Sequence, residues 1–339
     1  NSMLGNDLLS TVRAYAVSSS PMRCLKLSDS TPKKISIGWI KPHLECVGGV
    51  RRTIEMTNRL CVRGHKVTIY TPAGQSCGWM NAFSQIESLD SLRKRHHDIL
   101  IISDPNLIDS FLAADAKEKL VYHLAAYMLY RNKEPVLSDY YEKTTDLHHV
   151  ANSTWTAEHL FSHTKIKCDA IFPGAVDLTQ FSPRASVKKF DVACYGSNRE
   201  HKGTREIIQA TSGFSLMKVA SRCASQRELA EIISSARVFV SACWHEGFSF
   251  CPIEAMACGV PVVMTDDGGS REYAKHNHNA LISPPKDIDL LRKNIELALS
   301  DPKLRMTLIA NGLKTANRFS WEALVSEFEE YVVNLVTPC

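Results

Sequence analysis

No run in this 339-residue chain approaches the roughly 18 consecutive apolar residues that a membrane-spanning helix requires, so none is expected. The first 32 residues also lack the apolar core of a secretion signal, and no export is expected. Eleven cysteines are scattered without a C-x-x-C pair, and their number is odd. That pattern argues against a disulfide framework or a zinc knuckle. It suits reduced thiols, many of them filling core, in a cytoplasmic protein. Charge of one sign is scarce: the net is only +4, too little to argue for nucleic acid as a partner. The excess sits early, with 21 Lys/Arg against 17 Asp/Glu in residues 1–175. No G-x-G-x-x-G turn follows a strand-like run, which disfavours a dinucleotide-dependent dehydrogenase.

What is present is an alternation of short β-branched runs and amphipathic segments. "KISIGWI" (34–40), "KVTIYTP" (66–72), "DILIIS" (98–103), "KLVYHLA" (119–125) and "CDAIFPG" (168–174) read as strands. "RRTIEMTNRLCVRGH" (51–65) has helical spacing and stops at Gly64. Around 174–190 the pattern breaks into a Gly-, Pro- and Ser-containing linker and then restarts with "FDVACYG" (190–196). "SLMKVA" (215–220), "RVFVSA" (237–242) and "VPVVMT" (260–265) continue it, and helical segments fill about 287–335. Strands apolar on both faces belong in buried parallel sheets, so two doubly wound α/β domains are expected, facing across a cleft. Residues just after strands should then carry the chemistry.

One such stretch is "HEGFSFCPIEAMACGVPVV" (245–263), where Glu246 and Glu254 stand eight positions apart. Pro252 suits the first turn of a helix, which would also hold Glu254. The backbone N–H groups of Ser249, Phe250 and Cys251 would face outward at the helix start, a ready anion site. Carboxylates accept hydrogen bonds from hydroxyl pairs, so two of them beside an anion site suit a polyol attached to phosphate, as in a nucleotide sugar. The plainer alternative is a solvated loop acid and a helix-start acid favoured by the macrodipole.

"HEGFSFCPIEAMACGVPVVMTDDGGSREY" resembles the retaining glycosyltransferases of family 4, whose signature is two glutamates eight apart before an Ala-rich helix. "VGGVRRTIEMTNRLCVRGHKVTIYTP", "ANSTWTAEHL", "FPGAVDLTQFSP" and "NRFSWEALVSEFEEY" are similar to that family's donor loop, domain junction and closing helices. The resemblance implies an α/β chain of GT-B fold, with two Rossmann-like doubly wound domains facing across a cleft and the second trimmed. It implies an N-terminal extension (1–32), an acceptor-side domain (33–175), a donor domain (176–320) and a last helix (321–339) returning to the first domain. It also implies sugar transfer from a nucleotide-sugar donor to a glycan, lipid-linked glycan or small-molecule hydroxyl, with retention and with neither metal nor cofactor. By resemblance, Glu254 would hold the donor ribose, Glu246 the transferred sugar and Lys202 the diphosphate, with His123 near the sugar's hydroxymethyl region. Phe248, Ser249, Phe250, Gly48 and Gly49 would line the donor site; the glycines, lacking Cβ, let backbone approach a phosphate closely.

Two departures stand out. The family's arginine after the glycine at 196 is replaced by Ser197, with Arg199 as the candidate substitute. Only 42 residues separate Gly203 from Glu246, so Val219, Ala220, Ser221 and Arg222 are left to grip the base. "TDDGG" (265–269) reads as a turn rather than a metal motif, and "RKRHH" (93–97) as a solvated helix face. A peripheral contact with the inner face of a membrane is the alternative reading of that basic run. Two other functions fit the same residues: a nucleotide-sugar epimerase on this fold, and a catalytically silent nucleotide-sugar-binding subunit.

Overall fold

A computed structural model describes residues 33–125, 135–184, 186–219 and 225–337. In chain order the first part contains β1 (Ser36–Ile40), α1 (Gly48–Val62), β2 (Lys66–Thr71), β3 (Gln85–Ser88), α2 (Leu89–Leu92), β4 (His96–Ile102), α3 (Ile108–Ala113), β5 (Asp115–His123), α4 (Pro135–Thr144), β6 (His148–Ala151), α5 (Thr154–Thr164) and β7 (Ala170–Ile171). The second contains β8 (Phe190–Tyr195), α6 (Thr204–Ala210), β9 (Leu216–Val219), α7 (Gln226–Ser234), β10 (Ala236–Ser241), α8 (Phe250–Ala257), β11 (Val262–Thr265), β12 (Ala280–Ser283), α9 (Ile288–Ser300) and α10 (Pro302–Arg318). A final helix, α11 (Trp321–Val336), closes the described chain.

The strands form two parallel sheets, one of seven strands ordered β3-β2-β1-β4-β5-β6-β7 and one of five ordered β12-β11-β10-β8-β9. Alternation along β1 sends Ile37 and Trp39 to one core and Ile40 to the opposite one, which is why the run is apolar throughout. In each sheet the strand order reverses once, between β1 and β4 (Ile37 opposite Ile99) and between β8 and β10 (Ala193 opposite Phe239). A reversal leaves a crevice at the carboxyl ends of the two strands, because their connections leave in opposite directions. Both crevices open towards the same inter-domain cleft.

Helix α11 crosses back to the first sheet. Trp321 and Phe328 are fully buried, and Phe328 stacks 6.1 Å from Trp39 and 6.0 Å from Tyr122. A polar clasp reinforces the contact: Glu329 accepts from Arg63 Nη1 at 2.6 Å and lies 2.7 Å from His65 Nε2.

Three local expectations change. Helix α1 begins at Gly48 rather than at 51, so Gly48 and Gly49 are its first two residues and not a loop before it. Its first turn has no side-chain cap and no acid, which leaves backbone N–H groups available. The 93–97 run is not a helix face: it turns after α2 and enters β4. Strand alternation then buries His97, 2.8 Å from Tyr70 Oη and 2.9 Å from Ser36 Oγ, and burial lowers its pKa to about 4. Glu254 is the fifth residue of α8, one turn further in than expected, because the helix starts two residues before Pro252. Residues 1–32, Ala220, Ser221 and Arg222 lie outside the described residues.

Because Phe328 fills the space between two aromatic side chains of the first core, Phe328→Ala should cost about 3–5 kcal/mol of stability. Urea unfolding followed by tryptophan fluorescence measures this; an unchanged midpoint would mean α11 is not part of that core.

Candidate functional site

The cleft between the domains has a volume of about 1010 Å³. That is enough for a ligand larger than most small molecules. Its walls are built from the loops that follow β1, β4, β8 and β10, the four strands at the two reversals.

The loop after β10 is held by backbone bonds. Glu246 N–H donates to Asp267 O at 2.9 Å, Gly269 N–H donates back to Glu246 O at 3.1 Å, and Trp244 N–H donates to His201 O at 2.8 Å. Gly203 lets the loop after β8 come this close: it has φ 65°, and a Cβ there would sit 2.0 Å from Ala242 O. The result is that Lys202 Nζ donates to Glu246 Oε1, with His201 Nε2 3.9 Å from the same oxygen. Burial alone would depress the Lys202 ammonium, but the Glu246 carboxylate outweighs it and holds the pKa above its ordinary range. His201 and His245 stack at 4.9 Å beside this pair, and burial lowers the pKa of each.

Ser249 then turns the chain into α8 with φ 64° and ψ 87°, a left-handed conformation unusual for serine. It is pinned by Tyr273 Oη, which donates to Ser249 O at 2.6 Å. Its side chain caps nothing, so the first N–H groups of α8 face the cleft unpaired by a cap. Below them Glu254 is 0% exposed and accepts from Arg51 Nη2 of α1. Its second oxygen, Oε2, has no partner. Arg51 also lies 5.1 Å over the Phe250 ring, so α8 and α1 meet through this contact. A second cross-domain bond joins Gln226 Nε2 to Glu55 Oε1 at 2.8 Å. Gly247 allows backbone contact with the first domain, since a Cβ there would lie 2.3 Å from Leu124 O.

Of the residues singled out from sequence, Glu246, Lys202, Arg199, Gly48, Gly49, Phe248, Ser249 and Phe250 line the cleft, with Glu254 directly beneath. Ser197 does not line it: its backbone exchanges hydrogen bonds with Thr204 Oγ1, making it a loop buttress. His123 is 1% exposed and also stands off the lining, stacked 5.2 Å from His149 with Nε2 2.8 Å from His149 Nδ1. Arg51, His201 and His245 were missed. The two histidines are immediate neighbours of Lys202 and Glu246 in sequence; nothing local marked Arg51, whose partner is 203 positions away.

The "TDDGG" stretch does turn the chain after β11, but it also buries Asp267, 1% exposed, with Oδ2 unpartnered. Burial, opposed by the Ser270 hydrogen bond and reinforced by the Glu246 carboxylate, pushes this carboxyl up to about 7. Among the described residues no group of three His, Cys, Asp or Glu is placed to hold a metal ion. Nor is any described helix long and apolar enough to cross a membrane. The eight described cysteines form no disulfide with one another.

Residues 217–315 match the family model described as "Glycosyl transferases group 1", less than a third of the chain. The O-antigen chain mannosyltransferase B of Escherichia coli is 36% identical over 95 residues, 28% of this chain and 24% of that protein. The chain thus spans about a quarter of the length of the first curated relatives it matches. Sucrose-phosphate synthase of Thermosynechococcus elongatus superposes with a TM-score of 0.75 at 16% identity, covering 89% of this chain and 99% of that one. Anabaena HepE in complex with UDP-glucose gives 0.73 at 12% identity, covering 88% and 99%. The fold is GT-B.

The raised Asp267 pKa has a definite consequence. The native state binds a proton there between about pH 4 and 7 that the unfolded chain has lost, so stability falls as pH rises through that window. Asp267→Asn should remove this slope, worth up to about 4 kcal/mol above pH 7. Urea midpoints at pH 5 and 8 test it, and equal slopes in both proteins would refute the assignment.

Proposed function

We propose that this chain is a retaining, metal-independent glycosyltransferase that moves a sugar from a nucleotide-sugar donor to an acceptor hydroxyl. The observation that carries the reading is the pairing around α8. Two carboxylates, Glu246 and Glu254, flank an uncapped helix N-terminus, and each is matched by a cation, Lys202 and Arg51. The GT-B fold, the partial group 1 match and the UDP-glucose bound by HepE support it.

Each group then has a task. Ribose hydroxyls donate to Glu254, whose Oε2 has no other partner. Diphosphate oxygens accept from Lys202 Nζ and from the first N–H groups of α8, with Arg199 reaching the cleft from the same loop as Lys202. Hydroxyls of the transferred sugar donate to Glu246. As the bond from the anomeric carbon to the phosphate oxygen breaks, negative charge grows on that oxygen, and Lys202 stabilises it more in the transition state than before. The acceptor oxygen bonds the anomeric carbon from the same face, and its proton passes to the departing phosphate. No protein nucleophile is required, which accounts for retention. Closure of the two domains keeps water from taking the acceptor's place.

Titrating nucleoside diphosphates and their sugars against the melting temperature tests the donor site, since a ligand that binds only the native state raises it by mass action. One base series should raise the melting point of the wild type, and Glu254→Ala should lose most of that rise relative to its own ligand-free value. No rise with any donor at millimolar concentration would overturn the reading. With the donor so identified, Lys202→Met should lower kcat by about 10²–10³-fold, the size expected for losing one preorganised charge on the leaving group.

A further inference from the structure

Lys41 stands at the end of β1, on the first-domain wall of the cleft, and is only 6% exposed. Its ammonium has no hydrogen-bond or ion-pair partner among the described residues. The acid that acts on it is Asp104, after β4, whose carboxylate partly offsets the burial without forming an ion pair with it. Asp104 Oδ1 accepts from Asn106 N–H at 3.1 Å and from Asn106 Nδ2 at 2.9 Å, capping the turn that begins at Pro105.

Behind the same wall lies a second uncompensated cation. Arg52 is 1% exposed and donates only to neutral oxygens, those of Tyr122, Phe172 and Pro173, while its Nε and Nη1 have no partner. Burial lowers the pKa of Lys41 to about 8, against the pull of Asp104, and of Arg52 to about 9. Buried charges in folded proteins are normally paired, and a lone one facing a cleft is matched by what binds there. The donor diphosphate is already served by Lys202 and the α8 N-terminus, on the opposite wall.

We propose that Lys41 forms an anion subsite on the first-domain wall, and that the acceptor carries a phosphate or carboxylate group which docks there. The role as acceptor site rests on the transferase reading above; the anion subsite itself does not. His43 and Asn106, which line the cleft beside Lys41, would frame the rest of the acceptor.

The test is calorimetric titration of the full chain, with saturating nucleotide, using glucose 6-phosphate, geranyl diphosphate and, as neutral control, glucose. The comparison is wild type against Lys41→Met. At least one anionic probe should bind the wild type more tightly than glucose does, and the variant should bind it about 10- to 100-fold more weakly, the size of a lost charge-assisted hydrogen bond. Which anion binds separates a free sugar phosphate from a lipid-linked one. The variant's own melting temperature should be no lower than wild type, since the substitution removes an unpaired buried charge of similar length. Anionic probes binding no better than glucose, or unchanged affinity in Lys41→Met, would overturn the subsite. So would a fall in melting temperature together with nucleotide affinity, which marks a structural lysine. Lys41-dependent anion binding in a protein that binds no nucleotide would leave the subsite standing and remove the transferase reading instead.

Discussion

A carboxylate sealed completely from water needs a cation, and for Glu254 that cation comes from the other domain. Breaking such a pair by removing one partner costs about 3–5 kcal/mol, because the charge left behind stays buried. The Arg51–Glu254 contact therefore does more than join two side chains. It fixes where the first helix of the first domain meets the donor-side helix, and it places Phe250 under the guanidinium. The relative position of the two domains is thus tied to the charge of the very residue proposed to read the ribose. Arg51 uses one carboxylate oxygen, and the other, equally buried, has no partner.

The second pair has the same logic at a shallower depth. Glu246 is 20% exposed and Lys202 24%, so their attraction is partly screened and an incoming phosphate competes for Lys202 at lower cost. One carboxylate is locked and positions the domains; the other is exchangeable and can trade its cation for sugar hydroxyls. A charge that must be free to stabilise a leaving group is better held by a contact that water can still reach. On the proposed reading, this difference in burial gives Glu254 the structural share of the work and Glu246 the reacting end.

Much of the fold was legible because buried parallel strands must be apolar on both faces, and the runs at 34–40, 98–103 and 260–265 are. Glu246, Lys202 and the α8 start were legible because loops after strands at a reversal converge on one crevice. What was illegible has a common cause: it depends on partners distant in sequence. Arg51 gains its meaning from a residue 203 positions away, and Lys41 from its burial in the cleft wall without an ion pair. Asp267 looked like a turn residue because a polar DDGG stretch is one; only the packing of the loop over it reveals the sealed carboxyl. Histidine runs misled in the same way, since strand alternation, not composition, decided that His97 goes inward.

Charge placement across the cleft also constrains what can happen in it. On the second-domain wall Glu246 and Glu254 each have a cationic counterpart within the protein, so in the proposed reaction a nucleotide sugar exchanges partners with a surface already balanced. On the opposite wall Lys41 has the pull of Asp104 but no ion pair. A cleft with one balanced and one less balanced wall keeps its unfavourable electrostatics on the first-domain side. On the proposed reading, donor binding alone does not relieve that imbalance, whereas an anionic acceptor does. Domain closure, which strengthens every electrostatic interaction by excluding water, is then most favourable when both substrates are present. In the proposed reaction such a cleft would discourage closing on donor and water alone, the combination that wastes the donor by hydrolysis.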